Sequence, residues 1–241
     1  MVVHIKGRAF LPSPKGRGLH ARISVTLPDP PLLLVTDRRQ AGRPLGDVIA
    51  SACAAGCRWI SIREKDLPAA EQIALARALL PIARQWGARL TLHGTAEMAR
   101  AAGVDGVHLA AGSDTAEARA IIGSGLVGAS VHTISEAAAL APPEVDYALA
   151  GPAYATVSKP GYGPALGAAG IAAIARACRV PVLAIGGIAV AAVLELIQAG
   201  AGGIAVMGSL MRASEVATEA MRLLAALADA QARGPKPSTT S

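Results

Sequence analysis

The sequence predicts an α/β fold: a single (β/α)8 TIM barrel, with parallel strands inside and helices outside. Three observations carry this. Between Leu32 and Ala228, apolar runs of strand length alternate with helix-period segments eight times. Glycine-rich turns follow the last two strands, at Gly186-Gly187 and Gly208-Ser209. No GxGxxG follows the first strand, as an open dinucleotide-binding sheet would need.

The elements follow in order. Leu32–Thr36 reads as the first strand and Leu45–Ala55 as the first helix. Arg58–Arg63 is the second strand. Gln72–Trp86 is a helix with Ile73, Ala76, Leu79, Leu80, Ala83 and Trp86 on one side. Ala88–Leu92, Asp105–Leu109, Leu126–Ser130 and Val145–Gly151 read as strands three to six. Ala96–Ala102, Thr115–Ile122 and Ile134–Leu140 are the helices between them. A long connection to Leu166 precedes the helix Ala168–Ala177.

The stretch Val182–Met211 is the centre of the pattern. Val182–Ile185 is a strand ended by Gly186-Gly187. A helical segment follows with Val193, Ile197 and Ala201 on one face, closed by Gly200–Gly203. Ile204–Met207 is the eighth strand, and Gly208-Ser209 opens a further helix. Two glycine turns in tandem at strand ends suit an anion, because glycine lets backbone N–H groups approach it closely. Loops after strands seven and eight of such barrels commonly hold phosphate. Ala217, Met221, Leu224 and Ala228 mark the last helix.

Strand alternation sorts side chains by side. With Ile60 and Ile62 toward the helices, Ser61 and Arg63 face inward. Thr91, His93, His108, Gly128 and Ser130 face inward by the same rule, and His132 lies just past its strand. Polar groups thus gather toward the C-terminal mouth, where barrel enzymes carry their chemistry.

Composition narrows the classes. Aromatics are only 2%, so the core must come from Ala, Val, Leu and Ile. The net charge of +6 is front-loaded: Lys6, Arg8, Lys15, Arg17 and Arg22 precede the first acid, Asp29. A single aromatic, Phe10, interleaves those residues, which argues against nucleic acid. No apolar run approaches the ~20 residues of a membrane span, and the basic N-terminus lacks a signal-type apolar segment. Cys53, Cys57 and Cys178 leave at least one thiol unpaired and show no zinc spacing, so a reducing cytoplasm is expected. Residues 1–30 read as a basic flexible extension, 31–232 as the barrel and 233–241 as a disordered Pro/Ser/Thr tail. Homo-oligomerisation stays open.

Several residues could carry chemistry. Arg63 and Lys65, in the run Arg63-Glu64-Lys65-Asp66 at the end of strand two, suit phosphoryl oxygens. Gly151–Gly167 is long for a βα connection, and Tyr154, Lys159 and Tyr162 suit a flap over an anion. His132 at the mouth suits proton transfer near neutrality. His93 and His108 suit interior packing. Acids at strand ends are few: Asp37, Asp66 and Asp114.

Leu34-Val35-Thr36-Asp37, Ile62–Asp66, Gly106-Val107-His108-Leu109 and Ser130-Val131-His132-Thr133 form an ordered set. Gly151-Pro152, Ser158-Lys159-Pro160, Ala184–Ile188 and Gly203–Met207 continue it. From about Leu32 to Ala230 the chain resembles the thiamine-phosphate synthase/TenI superfamily. The resemblance implies a thiamin-biosynthesis barrel binding a thiazole phosphate. Gly186, Gly187, Gly208 and Ser209 would then hold phosphate, and Arg63, Lys65, Ser130 and Lys159 would match the synthase's pyrophosphate contacts. Ser61 stands where the synthase has a pyrimidine-binding Gln. His93-Gly94 and Ser113 stand where it has its magnesium aspartates, with Asp114 one step away.

The expected reading is therefore TenI-like: a metal-independent thiazole tautomerase, an isomerase using His132, with no cofactor. One alternative is a divergent synthase coupling a pyrimidine pyrophosphate to a thiazole phosphate with Mg²⁺, for which Asp114 would be the candidate metal ligand. A non-catalytic binder of thiamin-related phosphates, regulating a partner, is the other.

Overall fold

Four consecutive apolar residues can be buried on both faces only in a sheet covered on both sides. Leu32–Val35 meets that condition and forms β1, every side chain buried. A computed structural model describes residues 26–156 and 164–234. The remaining strands are β2 Trp59–Ile62, β3 Arg89–His93, β4 Gly106–Leu109, β5 Leu126–Val131, β6 Tyr147–Ala150, β7 Val182–Ile185 and β8 Gly203–Val206. They pair in parallel in chain order, and β8 closes on β1 with Leu32 opposite Ile204. The helices are α1 Leu45–Ala54, α2 Ala69–Gln85, α3 Ala96–Ala102, α4 Thr115–Ile122, α5 Ile134–Ala139, α6 Gly167–Ala177, α7 Val193–Gln198, α8 Gly208–Met211 and α9 Val216–Arg233. The architecture is the (β/α)8 barrel.

Two apolar cores result, and strand alternation separates them. Ile60, Ile62, Leu90, Leu92, Val107 and Leu109 point outward into the layer beneath the helices. Leu33, Val35, Trp59, Leu126, Tyr147, Leu149, Leu183 and Ala205 fill the barrel interior. Tyr147 sits opposite Gly128 across the β5–β6 ladder. A Cβ on Gly128 would fall inside the Tyr147 ring, so the glycine makes room for the ring that fills the barrel. Trp59 meets that ring edge-on at 4.6 Å between centroids. This pairing is not visible in sequence, because nothing local marks two residues nineteen apart as partners.

Boundary differences have local causes. Helix α2 begins at Ala69 rather than Gln72, with Pro68 at its N-cap position, where the missing N–H costs nothing. The expected helix after Gly186-Gly187 is shorter: a 3-10 turn, Val190–Ala192, leads into α7. Ala201 then lies beyond Gly200, whose φ of 97° ends the helix. Met207 leaves the strand and caps α8.

The expected extension, residues 1–30, lies mostly outside the described residues. Its last stretch does not hang free: Leu27 packs on the interior cluster and Pro28 is buried. Of the expected tail, Arg233 ends α9 and Gly234 follows it.

Candidate active site

A cavity of about 580 Å³ opens at the C-terminal ends of the strands. Arg63, Lys65, Ser130, His132, Gly186, Gly187, Gly208 and Ser209 all line it. Lys159 falls outside the described residues. Val35, Leu149, Ile185 and Met207 give it an apolar floor, suited to the flat faces of heterocycles.

The cations on the β2 side are held by a network built on Glu64. Its side chain is wholly buried. Thr36 Oγ1 donates to Glu64 Oε1 at 2.7 Å, and the Arg38 backbone N–H donates to both carboxylate oxygens. Arg38 Nη1 also donates to Glu64 and, in a fork with Nη2, to Asp66. Thr36 Oγ1 in turn accepts from the Arg63 backbone N–H at 2.9 Å. The run Arg63-Glu64-Lys65-Asp66 is therefore divided by alternation. The acids tie β2 to the β1 loop, and the cations are left to the cavity. Burial lowers the pKa of Arg63, with Asp37 and Glu64 opposing that shift. Burial, then the charge of Arg63, lowers the pKa of Lys65. Neither cation lies within ion-pairing distance of a described carboxylate. Two like charges drawn from water without a described counter-ion favour an anionic ligand.

His132 is positioned by a capping box at the start of α5. Thr133 Oγ1 accepts from the Glu136 N–H, and Glu136 Oε2 accepts from the backbone N–H groups of Thr133 and His132. The ring Nδ1 donates to the Gly151 carbonyl at 2.7 Å, which turns Nε2 away from that carbonyl.

Below the mouth, His108 Nε2 lies 2.9 Å from Ser130 Oγ and Nδ1 lies 3.2 Å from the Tyr147 hydroxyl. His93, also on the lining, tilts against His108 with centroids 4.4 Å apart. His108 is the interior residue expected, but it reaches the lining through Ser130, a link that sequence reasoning missed.

The two glycine turns adjoin at the opposite wall. Gly186 and Gly187 adopt φ of 103° and 64°, the left-handed region that favours glycine. A Cβ on Gly187 would press on the Tyr154 and Ala155 carbonyls, so this glycine also seats the loop after β6. Helix α8 is a single turn, so any anion hold here rests on loop amides and the Ser209 hydroxyl rather than a macrodipole. Ser209 Oγ is buried and makes no hydrogen bond to a described residue. Arg212 lines the same wall. Sequence reasoning missed it, although it stands four residues past Gly208.

Magnesium requires oxygen ligands in near-octahedral array. Among the described residues no carboxylate lines the cavity. Asp114 is the N-cap of α4, where Oδ1 accepts from the Glu117 N–H, and Ser113 Oγ donates to Ala110 O. Among the described residues no group of three His, Cys, Asp or Glu is arranged for a metal. The residues present do not fit a magnesium ion held by the protein's own carboxylates.

Comparison with known proteins favours the synthase expectation over the tautomerase. A relative from Geobacter sulfurreducens, provisionally named a thiamine-phosphate synthase, is 42% identical over 81% of this chain and 93% of its own. The thiamine-phosphate synthase of Roseiflexus sp. is 37% identical over 92% of each chain. Among solved structures, a thiamine phosphate pyrophosphorylase from Pyrococcus furiosus superposes with a TM-score of 0.72 at 28% identity, covering 83% of this chain and 96% of that one. The isomerase expectation is corrected by these relatives, which are named as synthases, a transferase activity. That expectation leaned on His132 and on the missing metal carboxylates. His132 is indeed at the mouth, but a positioned ring does not by itself select a reaction. The sequence profile of the family described as thiamine monophosphate synthase matches residues 32–210, and the chain belongs to that thiamine monophosphate synthase/TenI family.

Proposed function

We propose that the chain is a thiamine-phosphate synthase-type transferase, joining a pyrimidine pyrophosphate to a thiazole phosphate. The observation that carries this is the charge pattern of the cavity: Arg63 and Lys65 face it without described ion-pair partners, and no described carboxylate lines it. A site of that kind suits a substrate and a leaving group that are both polyanions. In this reading a bond forms between the two ring systems, and pyrophosphate departs with the electron pair of the bond it breaks. Arg63 and Lys65 stabilise the charge that grows on the leaving group, with Ser130 donating a hydrogen bond from the neighbouring wall. Lys159, outside the described residues, is the third cation of this reading. The loop amides of Gly186, Gly187 and Gly208, with Ser209, hold the thiazole phosphate across the apolar floor, which brings the two rings within reach. His132 lies between the two ends and orients the substrates.

The catalytic unit in this proposal is residues 31–232. The cysteines are free, two of them buried, in keeping with a reducing cytoplasm. Among the described residues no helix is long and apolar enough to cross a membrane.

Incubating the protein with both substrates should release one pyrophosphate per coupled product, and none when the thiazole phosphate is omitted. Arg63→Gln should lower kcat/KM about 100-fold, the scale of losing one transition-state charge contact. Binding of both substrates without pyrophosphate release would reject the transferase and leave a binding protein.

A further inference from the structure

We propose that Arg212 is a phosphate ligand of this cavity and that Gln40 is its positioning residue. The inference deepens the reading above by naming the cation of the thiazole-phosphate end, and it rests on that reading for the identity of the ligand.

The tip of the Arg212 guanidinium lies over Gly208. An ideal Cβ at that position would come within 2.5 Å of Nη1 and of Nη2, and within 2.7 Å of Cζ. Gly208 is not in the left-handed region, so the backbone conformation does not demand glycine there. A side chain there would meet only the tip of the Arg212 side chain and would displace it from the turn, so glycine at this position leaves room for the guanidinium to fold over it. Gly208 and Arg212 thus act as a pair, and both line the cavity beside Ser209 and Gly187.

A neutral partner holds the fold-back. Arg212 Nη1 donates to Gln40 Oε1, and Gln40 Nε2 donates to Asp37 Oδ2 at 2.6 Å. The orientation of the Gln40 amide follows from chemistry: the guanidinium can only donate and the carboxylate can only accept. This relay ties the loop after β1 to the loop after β8 and places an uncharged amide between Asp37 and Arg212. No described carboxylate lies within ion-pairing distance of Arg212. Its charge is oriented but not cancelled.

A second observation points to an anion at the same place. The buried Ser209 hydroxyl has no described partner and is on the same lining. Buried polar atoms are rarely left so without a ligand or water to meet them. A phosphate beside it would accept from Ser209, from loop amides and from the guanidinium fork, which presents several N–H groups in one plane. Arg63 and Lys65 belong to the β2 side of the cavity. Without Arg212 the β8 side would meet a phosphate with neutral donors only.

Calorimetric titration of the thiazole phosphate and of its dephosphorylated alcohol tests this. Arg212→Gln should weaken the phosphate ligand about 10- to 100-fold, as expected for one charge-assisted contact, and leave the alcohol unchanged within twofold. Arg212→Lys should restore part of the loss, because a point charge replaces the fork. Gln40→Leu should weaken the phosphate ligand less than Arg212→Gln does, raising KM for the thiazole phosphate with kcat little changed. An Arg212→Gln protein that binds the phosphate as tightly as the unmodified protein overturns the proposal. So does a loss confined to the pyrimidine pyrophosphate. If the unmodified protein binds no thiazole at all, the synthase reading falls, and inorganic phosphate becomes the probe for Arg212. Weaker phosphate binding by Arg212→Gln then supports the phosphate site, and equal binding or none by either protein overturns it.

Discussion

His108 Nε2 stands 2.9 Å from Ser130 Oγ, so a wholly buried histidine supports a hydroxyl on the cavity wall. Burial, with the charges of Lys65 and Arg63 behind it, pushes the His108 pKa down to about 3. The ring is therefore neutral at pH 7 and has one donating and one accepting nitrogen. It joins Ser130 to Tyr147, the residue that fills the barrel.

This sets an acid limit on stability. The unfolded chain takes up the His108 proton near pH 6.5, while the folded chain resists until about pH 3. The contribution is complete above about pH 6.5 and is lost as the pH falls toward 3. It amounts to roughly 5 kcal/mol over that window. Urea denaturation at pH 7 and at pH 4 should show a smaller difference in His108→Gln than in the unmodified protein. An equal difference in both would place the acid sensitivity elsewhere.

Glu64 should matter more to stability than any other acid near the site. Its buried carboxylate accepts from Thr36, from the Arg38 backbone and from the Arg38 guanidinium. Glu64→Leu leaves those donors unpaired and should cost about 3 kcal/mol in denaturant unfolding. Because Thr36 also holds the Arg63 backbone N–H, turnover should fall in protein that is still folded. Asp66→Ala removes the exposed fork to Arg38 and should leave the denaturant midpoint nearly unchanged.

Gly128→Ala should destabilise the barrel by about 1–3 kcal/mol, because the new methyl competes with the Tyr147 ring for the same space. Combining it with Tyr147→Leu should recover part of that loss. A double-mutant cycle with no coupling between the two positions would show that the interior absorbs the methyl by other means.

The N-terminal boundary can be tested by two deletions. Removing residues 1–25 should leave the melting temperature nearly unchanged. Removing residues 1–30 takes away Leu27 and Pro28, which pack at the barrel base, and should lower it by several degrees. Equal melting temperatures for the two truncations would show that Leu27 adds nothing to the core.

The sequence by itself determined the barrel, because periodicity is a local signal. Eight apolar runs too short for helices, each followed by a helix-period segment, leave few topologies that bury both faces of every strand. Alternation within β2 to β5 sorted Ser61, Thr91, His93 and His108 from the outward Ile, Leu and Val correctly, for the same reason. The glycine turns at Gly186-Gly187 and Gly208-Ser209, and the cations Arg63 and Lys65, could be assigned to one mouth because they stand at strand ends. Only tertiary structure decided what those residues touch. Glu64 is a buried anchor because Thr36 and Arg38 reach it from the loop after β1. Gly128 makes way for Tyr147, and Arg212 meets Gln40 across 172 positions of chain. Asp114, the metal-ligand candidate of the synthase expectation, is occupied in capping α4. Such pairings depend on barrel closure, which brings β8 against β1, and no local pattern of residues encodes which side chains then meet.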